Sequence, residues 1–186
     1  LSYEVIGTYL YIRFYAVKQL LFVDSYAKCL IALWACPALL RRLIAHADVI
    51  TPNITEACFL TGMEYREQYD EAYIAELLDR LTAAGAKTIV LTGVGFRPGM
   101  TGVLVCGKDT RENYEHRKIE KGCHGTGDVY ASAFVGAFLG GRTAFEAAKI
   151  AADYTVRTIE NTQGDPAHWY GVKFEPVLPE LMEMLK

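Results

Sequence analysis

Long stretches of basic residues are absent from this sequence, and its formal net charge is −3 at pH 7. Proteins that bind the backbone of nucleic acids do so mainly through clustered lysine and arginine. The composition therefore argues against a nucleic-acid partner. Long apolar runs are absent too: the longest uncharged one near the start covers only residues 29–40, whereas a membrane-spanning helix needs ~20 apolar residues. We expect a cytoplasmic protein that has no membrane partner.

Cysteines in metal-binding or redox spacing are also missing. The sequence has 5 scattered cysteines, with no CxxC pair and no Cys/His spacing typical of a zinc site. An odd number of scattered cysteines indicates free thiols in a reducing compartment. The five are Cys29, Cys36, Cys58, Cys106 and Cys123.

Several common nucleotide-binding and catalytic motifs do not occur. There is no GxxxxGK[ST] sequence, which excludes a P-loop enzyme, and Gly93-Val94-Gly95 lacks the third glycine of a dinucleotide fingerprint. A GxSxG elbow and an HExxH pair are likewise missing. A catalytic site in this chain must therefore be built from other residues.

Alternating strand and helix patterns are what the sequence does contain. Apolar runs at 20–23, 48–50 and 88–91 predict buried strands, and alternation at 102–106 and 114–119 predicts a hairpin. Periodic apolar positions and caps predict helices over 37–46, 55–60, 70–84, 126–140, 143–160 and 175–185. This order is typical of an α/β fold with a mostly parallel sheet flanked by helices.

The motifs concentrate in the later part of the chain. We interpret residues 1–186 as a single α/β domain in which 46–186 carry the chemistry. Residues 1–45 are atypical: they are rich in Tyr, Leu and Ile and have no clean period.

The strongest motif is a glycine-rich turn that opens a helix, Gly125-Thr126-Gly127-Asp128. Such a turn presents unpaired backbone N–H groups at the positive end of the helix dipole, which makes an anion site. A carboxylate in the first turn of a helix is commonly a cap. Capping does not account for the small residues before Asp128, so we favour a catalytic role: Asp128 accepts a proton from a substrate hydroxyl group that attacks a phosphate.

Two residues just before this turn have alternative interpretations. His124 is either a proton shuttle or a residue that shapes the loop, and we favour the second. Cys123 either approaches an aldehyde substrate or is a small loop residue, and we again favour the second.

A second motif, Thr-Pro-Asn-Ile-Thr-Glu at residues 51–56, follows a predicted strand. Asn53 and Glu56 have the spacing of a capping box at the start of the next helix. The same pair suits a hydrated Mg²⁺ ion beside phosphates, because Mg²⁺ keeps several waters and needs few carboxylates. The sequence leaves both interpretations open.

Candidate ligand-binding residues also follow two other predicted strands. Asp24 ends the strand at 20–23, and Thr92 and Gly93 follow the strand at 88–91. In an open α/β sheet, ligands bind beyond the carboxyl ends of the strands. Gly93 fits an ordinary turn equally well.

Together, the Gly-Thr-Gly-Asp turn, the upstream Thr-Pro-Asn-x-x-Glu and the Leu-Thr-Gly between them resemble the ribokinase-like kinases. The strings at 48–53, 124–129 and 170–175 are similar to the vitamin B6 kinase branch, that is, to pyridoxal kinases. The resemblance covers roughly residues 46–186.

The resemblance implies an ATP-dependent kinase of the 5′-hydroxymethyl group of pyridoxal, pyridoxine or pyridoxamine. Asp128 would be the base, and the backbone amides of Gly125, Thr126 and Gly127 would stabilise the transferring phosphoryl group. Glu56, as the metal ligand, would organise Mg²⁺ and phosphate.

The resemblance also implies partners and further binding residues. Asn53 would assist at the phosphates, Thr92 and Gly93 would lie along ATP, and Asp24 would match an acidic residue near the phosphates. The loop 94–101 and the helix 143–160 would border the adenine. A monovalent cation as a further cofactor and a homodimer are expected on the same basis.

The sequence departs from the family pattern at its start. Ser-Tyr-Ala-Lys follows Asp24 where the family has Pro and a Gly-containing loop, and the family's first βαβ portion has no counterpart. Two alternatives therefore stay open. One is a hydroxymethylpyrimidine or sugar kinase of the same superfamily, and the other is a non-catalytic nucleotide-binding paralogue or fragment.

Overall fold

The computed structural model describes residues 20–23, 28–31, 44–119, 123–165, 168 and 171–186. These residues fall into two compact units, one within Gln19–Arg117 and the other within Lys118–Lys186. Asp24 and most of the helix predicted over 37–46 lie outside the described residues. The single-domain interpretation of the chain stays a prediction.

Among its described residues, the first unit contains five strands and two helices. In chain order they are β1 (Leu20–Val23), β2 (Lys28–Ile31), α1 (Ile54–Thr61), α2 (Glu71–Ala83), β3 (Ile89–Thr92), β4 (Met100–Cys106) and β5 (Arg111–Arg117). The strand predicted at 20–23 is confirmed, and so are the helices predicted at 55–60 and 70–84. The hairpin predicted from the alternating segments is confirmed as β4 and β5.

Among the described residues, the strands of the first unit pair mainly in the antiparallel direction. β4 pairs antiparallel with both β3 and β5, and β1 pairs antiparallel with β2. Within the described residues, parallel pairing is confined to two bridges, Ile50 with Ile89 and Asn53 with Thr92. The physical reason is connection length, because a short loop returns the chain as an antiparallel neighbour, whereas a parallel neighbour needs a long crossover.

The core of the first unit lies where α1 and α2 cover β3. Apolar residues of α2 at helical spacing, Ile74, Leu77 and Leu81, are fully buried and belong to one cluster with Ile89 and Leu91 of β3. Burial of such side chains is the main favourable term in folding. This packing fixes the carboxyl end of β3 beside the segment that precedes α1.

The second unit is helical in its described residues. It contains α3 (Thr126–Leu139), α4 (Ala144–Thr162), a 3₁₀ turn (Glu175–Val177) and α5 (Leu178–Met184). The helices predicted at 126–140 and 143–160 are confirmed. The helix predicted over 175–185 divides into the 3₁₀ turn and α5, and each piece has a proline in its first turn, where the missing N–H costs no helical hydrogen bond.

Small side chains allow α3 and α4 to pack closely. Half of the residues buried on these two helices are alanines: Ala131, Ala133, Ala137, Ala147, Ala148, Ala151 and Ala152. The pair Phe134 and Phe138 stacks with ring centroids 5.7 Å apart. The helices of the described ranges include none that is both long and apolar enough to cross a bilayer.

Candidate functional site

The N-terminus of α3 is formed by the glycine-rich turn. Gly125 is the N-cap residue and has φ +83°, a left-handed conformation that favours glycine. The backbone N–H groups of Asp128 and Val129 donate to the carbonyl oxygen of Gly125 over 3.1 and 3.0 Å. A Cβ atom added at Gly127 would meet no atom within 4 Å. Packing inside the protein therefore does not explain the glycine at 127, whereas an open approach to the backbone does.

The N-cap residue of α3 is Gly125, which has no side chain and therefore makes no side-chain capping bond. By contrast, side chains cap α1, α2 and α4, namely Asn53, Asp70 and Thr143. Asp128 lies in the first turn of α3 and is half-buried. The helix dipole directs positive potential at this exposed end, which suits an anion.

The loop before α3 is tied to the C-terminal part of the second unit. The backbone N–H of Val172 donates to the carbonyl oxygen of His124 over 3.2 Å. The N–H of Lys173 donates to the Thr162 hydroxyl over 2.8 Å, and its ammonium group pairs with Asp165. The His124 side chain is exposed, and the bond to Val172 is made by the His124 backbone. The loop-shaping role of His124 stays a prediction. Sequence reasoning missed Asp165 and Thr162, for which no motif gave a signal.

Asn53 and Glu56 form the capping box that their spacing predicts. The Glu56 N–H donates to the Asn53 side-chain oxygen over 2.8 Å, and the Asn53 N–H donates to Oε2 of Glu56 over 3.0 Å. The two side chains are half-buried. The reciprocal bonds hold the Glu56 carboxylate at the N-terminus of α1.

The structure brings four of the predicted residues together in the first unit. Asn53 lies beside Thr92 in a parallel bridge, and the N–H of Thr92 donates to the carbonyl oxygen of Pro52 over 2.9 Å. Gly93 follows at once with φ +77°. Asn53, Glu56, Thr92 and Gly93 thus occupy one edge, at the carboxyl end of β3, where ligands of α/β proteins bind.

The Glu56 carboxylate fits the requirements of a magnesium ligand. Mg²⁺ prefers hard oxygen ligands and is held by one or two carboxylates together with waters and substrate phosphates. A carboxylate has about four acceptor positions, and the Asn53 N–H occupies one of those on Glu56. The described ranges contain no group of three or more His, Cys, Asp or Glu residues arranged for a metal.

Sequence reasoning missed the residues that hold the turn after β3. The Tyr69 hydroxyl accepts from the N–H of Gly95 over 3.1 Å, and the Glu115 carboxylate accepts from the N–H of Phe96 over 2.7 Å. The hydrogen bond from the Phe96 N–H, with the contact to the Arg97 guanidinium, holds the pKa of Glu115 below its usual range. Neither residue stands in a motif.

Comparison with protein-family models matches residues 21–171 to the phosphomethylpyrimidine kinase family. Among individual proteins, the chain is 29% identical over 123 residues to a hydroxymethylpyrimidine/phosphomethylpyrimidine kinase of Aquifex aeolicus. That match covers 66% of this chain and 47% of the relative. The chain is 30% identical over 107 residues to the pyridoxal kinase of Dictyostelium discoideum, which covers 52% of this chain and 34% of the relative.

Solved structures of pyridoxal kinases share the fold. The enzyme from Lactobacillus plantarum superposes with a TM-score of 0.70 at 27% identity, covering 80% of this chain and 54% of that one. An ADP complex of Bacillus subtilis pyridoxal kinase superposes with a TM-score of 0.61 at 27% identity, covering 73% and 51%.

The α/β fold is accordingly ribokinase-like, as the resemblance implied. The chain spans less than half the length of the two curated relatives named above. The family match, by contrast, extends over most of the chain and includes both the Thr-Pro-Asn-x-x-Glu segment and the Gly-Thr-Gly-Asp turn. The chain belongs to the phosphomethylpyrimidine kinase family.

Proposed function

We propose that the protein transfers the γ-phosphoryl group of ATP to the 5′-hydroxymethyl group of pyridoxal, pyridoxine or pyridoxamine. The observation that carries the proposal is the N-terminus of α3, which begins at the left-handed Gly125, has open space at Gly127 and has a carboxylate in its first turn. An anion site beside a proton acceptor is what phosphoryl transfer to an alcohol requires.

The turn supplies stabilisation of negative charge. Backbone N–H groups of Gly125, Thr126 and Gly127 lie at the positive end of α3, where charge on the equatorial phosphoryl oxygens is favoured. The αL conformation of Gly125 and its bonds to Asp128 and Val129 set this geometry before substrate binds. Donors that are fixed in advance need no reorganisation during the reaction.

Asp128 is the general base in this proposal. Its carboxylate accepts the hydroxyl proton while the alcohol oxygen forms a bond to the γ-phosphorus. The bond between that phosphorus and the β–γ bridging oxygen breaks, and ADP leaves with the bonding electrons. Asp128 afterwards releases the proton to solvent.

Asn53 and Glu56 organise the phosphates in the proposed reaction. Mg²⁺, when bound with ATP, neutralises charge on the phosphate oxygens. Glu56 would hold this ion, and the capping box keeps its carboxylate in place. Thr92 and Gly93 would border the nucleotide at the carboxyl end of β3. The monovalent cation, the homodimer and the role of Asp24 stay predictions.

A hydroxymethylpyrimidine alcohol is a second candidate substrate. The matched family is described as phosphomethylpyrimidine kinase, and the Aquifex aeolicus relative carries hydroxymethylpyrimidine kinase in its name. The pyridine alcohol is preferred because the string Tyr-Gly-Val-Lys-Phe-Glu at 170–175 resembles the vitamin B6 kinase branch. A non-catalytic nucleotide-binding protein is the candidate from a different class.

The test is mass-spectrometric detection of phosphorylated product after incubation with MgATP and either pyridoxal or the aminopyrimidine alcohol. We expect pyridoxal 5′-phosphate, and we expect Asp128→Asn to lower turnover about 10²–10⁴-fold, as for a positioned base. Asp79→Asn, an exposed position on α2, is the matched control and should leave turnover unchanged.

Other outcomes separate the candidates. Product from the pyrimidine alcohol alone would replace pyridoxal by the second substrate. Bound ADP without product from either alcohol would favour the non-catalytic protein. Full turnover of Asp128→Asn would remove Asp128 from the role of base.

A further inference from the structure

The turn after β3 has all its early backbone donors occupied inside the protein. The N–H groups of Gly93 and Val94 donate to the carbonyl oxygen of Gly102 over 2.9 and 3.2 Å. The N–H of Gly95 donates to Tyr69, and the N–H of Phe96 donates to Glu115. These four amides are already paired with groups of the protein, so they are not free to bind phosphates. The turn instead forms a rigid segment beside the carboxyl end of β3, where the candidate ligand-binding residues lie.

Tyr69 holds the centre of this turn. Its hydroxyl oxygen accepts from the Gly95 N–H over 3.1 Å and donates to the Gly93 carbonyl oxygen over 3.4 Å. One side chain, 26 residues before Gly95 in the sequence, thus joins both ends of a three-residue segment. The position of that segment depends on where the Tyr69 ring lies.

Buried neighbours fix the Tyr69 ring. It stacks on Tyr73 with centroids 6.2 Å apart and an interplanar angle of 25°. The Tyr73 hydroxyl donates to the carbonyl oxygen of Glu64 over 2.7 Å and lies 3.1 Å from the buried Cys58 sulfur. Because Cys58 belongs to α1 and Tyr73 to α2, both helices contribute to the placement of Tyr69.

Glu115 holds the same turn from the other side. Its side chain is only 5% exposed, and its two oxygens bind the Phe96 N–H over 2.7 Å and the Arg97 guanidinium over 2.6 Å. Between the two anchors, a Cβ atom at Gly95 would lie 2.2 Å from the carbonyl oxygen of Met100. The turn therefore has no room to shift toward β4, and the hydrogen bonds of Tyr69 and Glu115 prevent it from moving away from β4.

We propose that Tyr69 is a positioning residue for nucleotide binding, and this rests on the proposed function. The Tyr69 hydroxyl binds the Gly93 carbonyl oxygen, and Gly93 directly follows Thr92, which bridges Asn53 at the carboxyl end of β3. Tyr69 therefore determines the position of Gly93, which would border the nucleotide. Removal of the hydroxyl weakens nucleotide binding about threefold to tenfold, as expected for the loss of one or two neutral hydrogen bonds. Turnover at saturating ATP and the KM for the alcohol stay unchanged.

The test compares Tyr69→Phe, which keeps the stacked ring, with Tyr65→Phe in the full 186-residue chain. Tyr65 is 53% exposed on the same connecting segment and serves as the matched control. Amide hydrogen exchange of peptides covering 93–97 is measured without ligand, and ADP affinity is measured by calorimetry. We expect faster exchange and a threefold to tenfold higher Kd for Tyr69→Phe alone.

Each failure has its own signature. Unchanged exchange in Tyr69→Phe would overturn the hold of Tyr69 on the turn. If the wild type binds ADP, and Tyr69→Phe shows faster exchange but the same Kd for ADP, only the positioning role of Tyr69 is overturned. A wild type that binds no ADP would overturn the proposed function together with this proposal, whatever the exchange rates.

Discussion

At the scale of single residues, one substitution separates the capping role of Glu56 from its proposed role as a metal ligand. Glutamine at this position keeps the capping box, because its side-chain oxygen also accepts from the Asn53 N–H. Glutamine loses the negative charge that a metal ligand needs. We expect Glu56→Gln to change the free energy of unfolding by no more than about 0.5 kcal/mol and to lower MgATP-dependent turnover about 10–100-fold.

Urea denaturation and steady-state kinetics check this prediction. The matched control is Glu146→Gln, because Glu146 occupies the same place in the capping box of α4 with Thr143. Both variants should be nearly as stable as the wild type, and only Glu56→Gln should lose turnover. Equal turnover in the two variants would leave Glu56 as a cap and nothing more.

Glu115 makes stability depend on pH. The pKa of this carboxyl is lowered in the folded state, first by the Phe96 N–H and then by Arg97. A lowered pKa contributes stability that is present above the unfolded value of about 4.3. That contribution is lost as pH falls through the folded value. We expect Glu115→Gln to cost about 1.5–3 kcal/mol at pH 7, the range for hydrogen bonds to a charged group.

Denaturation curves between pH 7 and pH 3 measure the effect. The difference in free energy of unfolding between wild type and Glu115→Gln should become smaller as pH falls, because the carboxyl of the wild type becomes protonated. Glu112→Gln, at an exposed position on the same strand β5, should show no such difference at either pH. If that difference in free energy of unfolding stays constant between pH 7 and pH 3, the charge of Glu115 is not the source of the stabilisation.

At the scale of whole elements, two glycines respond to alanine in opposite ways. A Cβ atom at Gly102 of β4 would lie 1.9 Å from the Tyr114 carbonyl oxygen of β5, so alanine forces the hairpin apart. A Cβ atom at Gly136 inside α3 would meet no atom within 4 Å. Alanine there removes the entropy cost of glycine in a helix.

We expect Gly102→Ala to destabilise the protein by about 3 kcal/mol and Gly136→Ala to stabilise it by about 0.5–1 kcal/mol. Thermal and denaturant unfolding of the two variants measure both changes. Stabilisation by Gly102→Ala would show that β4 and β5 approach less closely than described. Destabilisation by Gly136→Ala would show that something occupies the space beside α3.

At the scale of the whole molecule, the candidate residues are shared between the two compact units. Asn53, Glu56, Thr92 and Gly93 belong to the first, and the Gly-Thr-Gly-Asp turn at 125–128 belongs to the second. The proposed function assigns nucleotide and metal binding to the first set and phosphoryl transfer to the second. The family match spans both sets as well.

The sequence by itself determined the features that arise within a few residues. The capping box of Asn53 and Glu56 and the start of α3 at the glycine turn depend on groups three or four positions apart. Their residue types therefore predict them directly. The amphipathic spacing of α2 is local in the same sense, because one helix face repeats every three to four residues.

Only the tertiary structure decided which distant residues meet. It made β3, β4 and β5 antiparallel and placed Tyr69 against Gly95, Glu115 against Phe96 and Val172 against His124, which lie 19 to 48 residues apart. Such pairs leave no periodic pattern in the chain, because their contact depends on how packed helices and strands bring loops together. Local chemistry therefore fixed the candidate groups, and packing fixed the side chains that hold them.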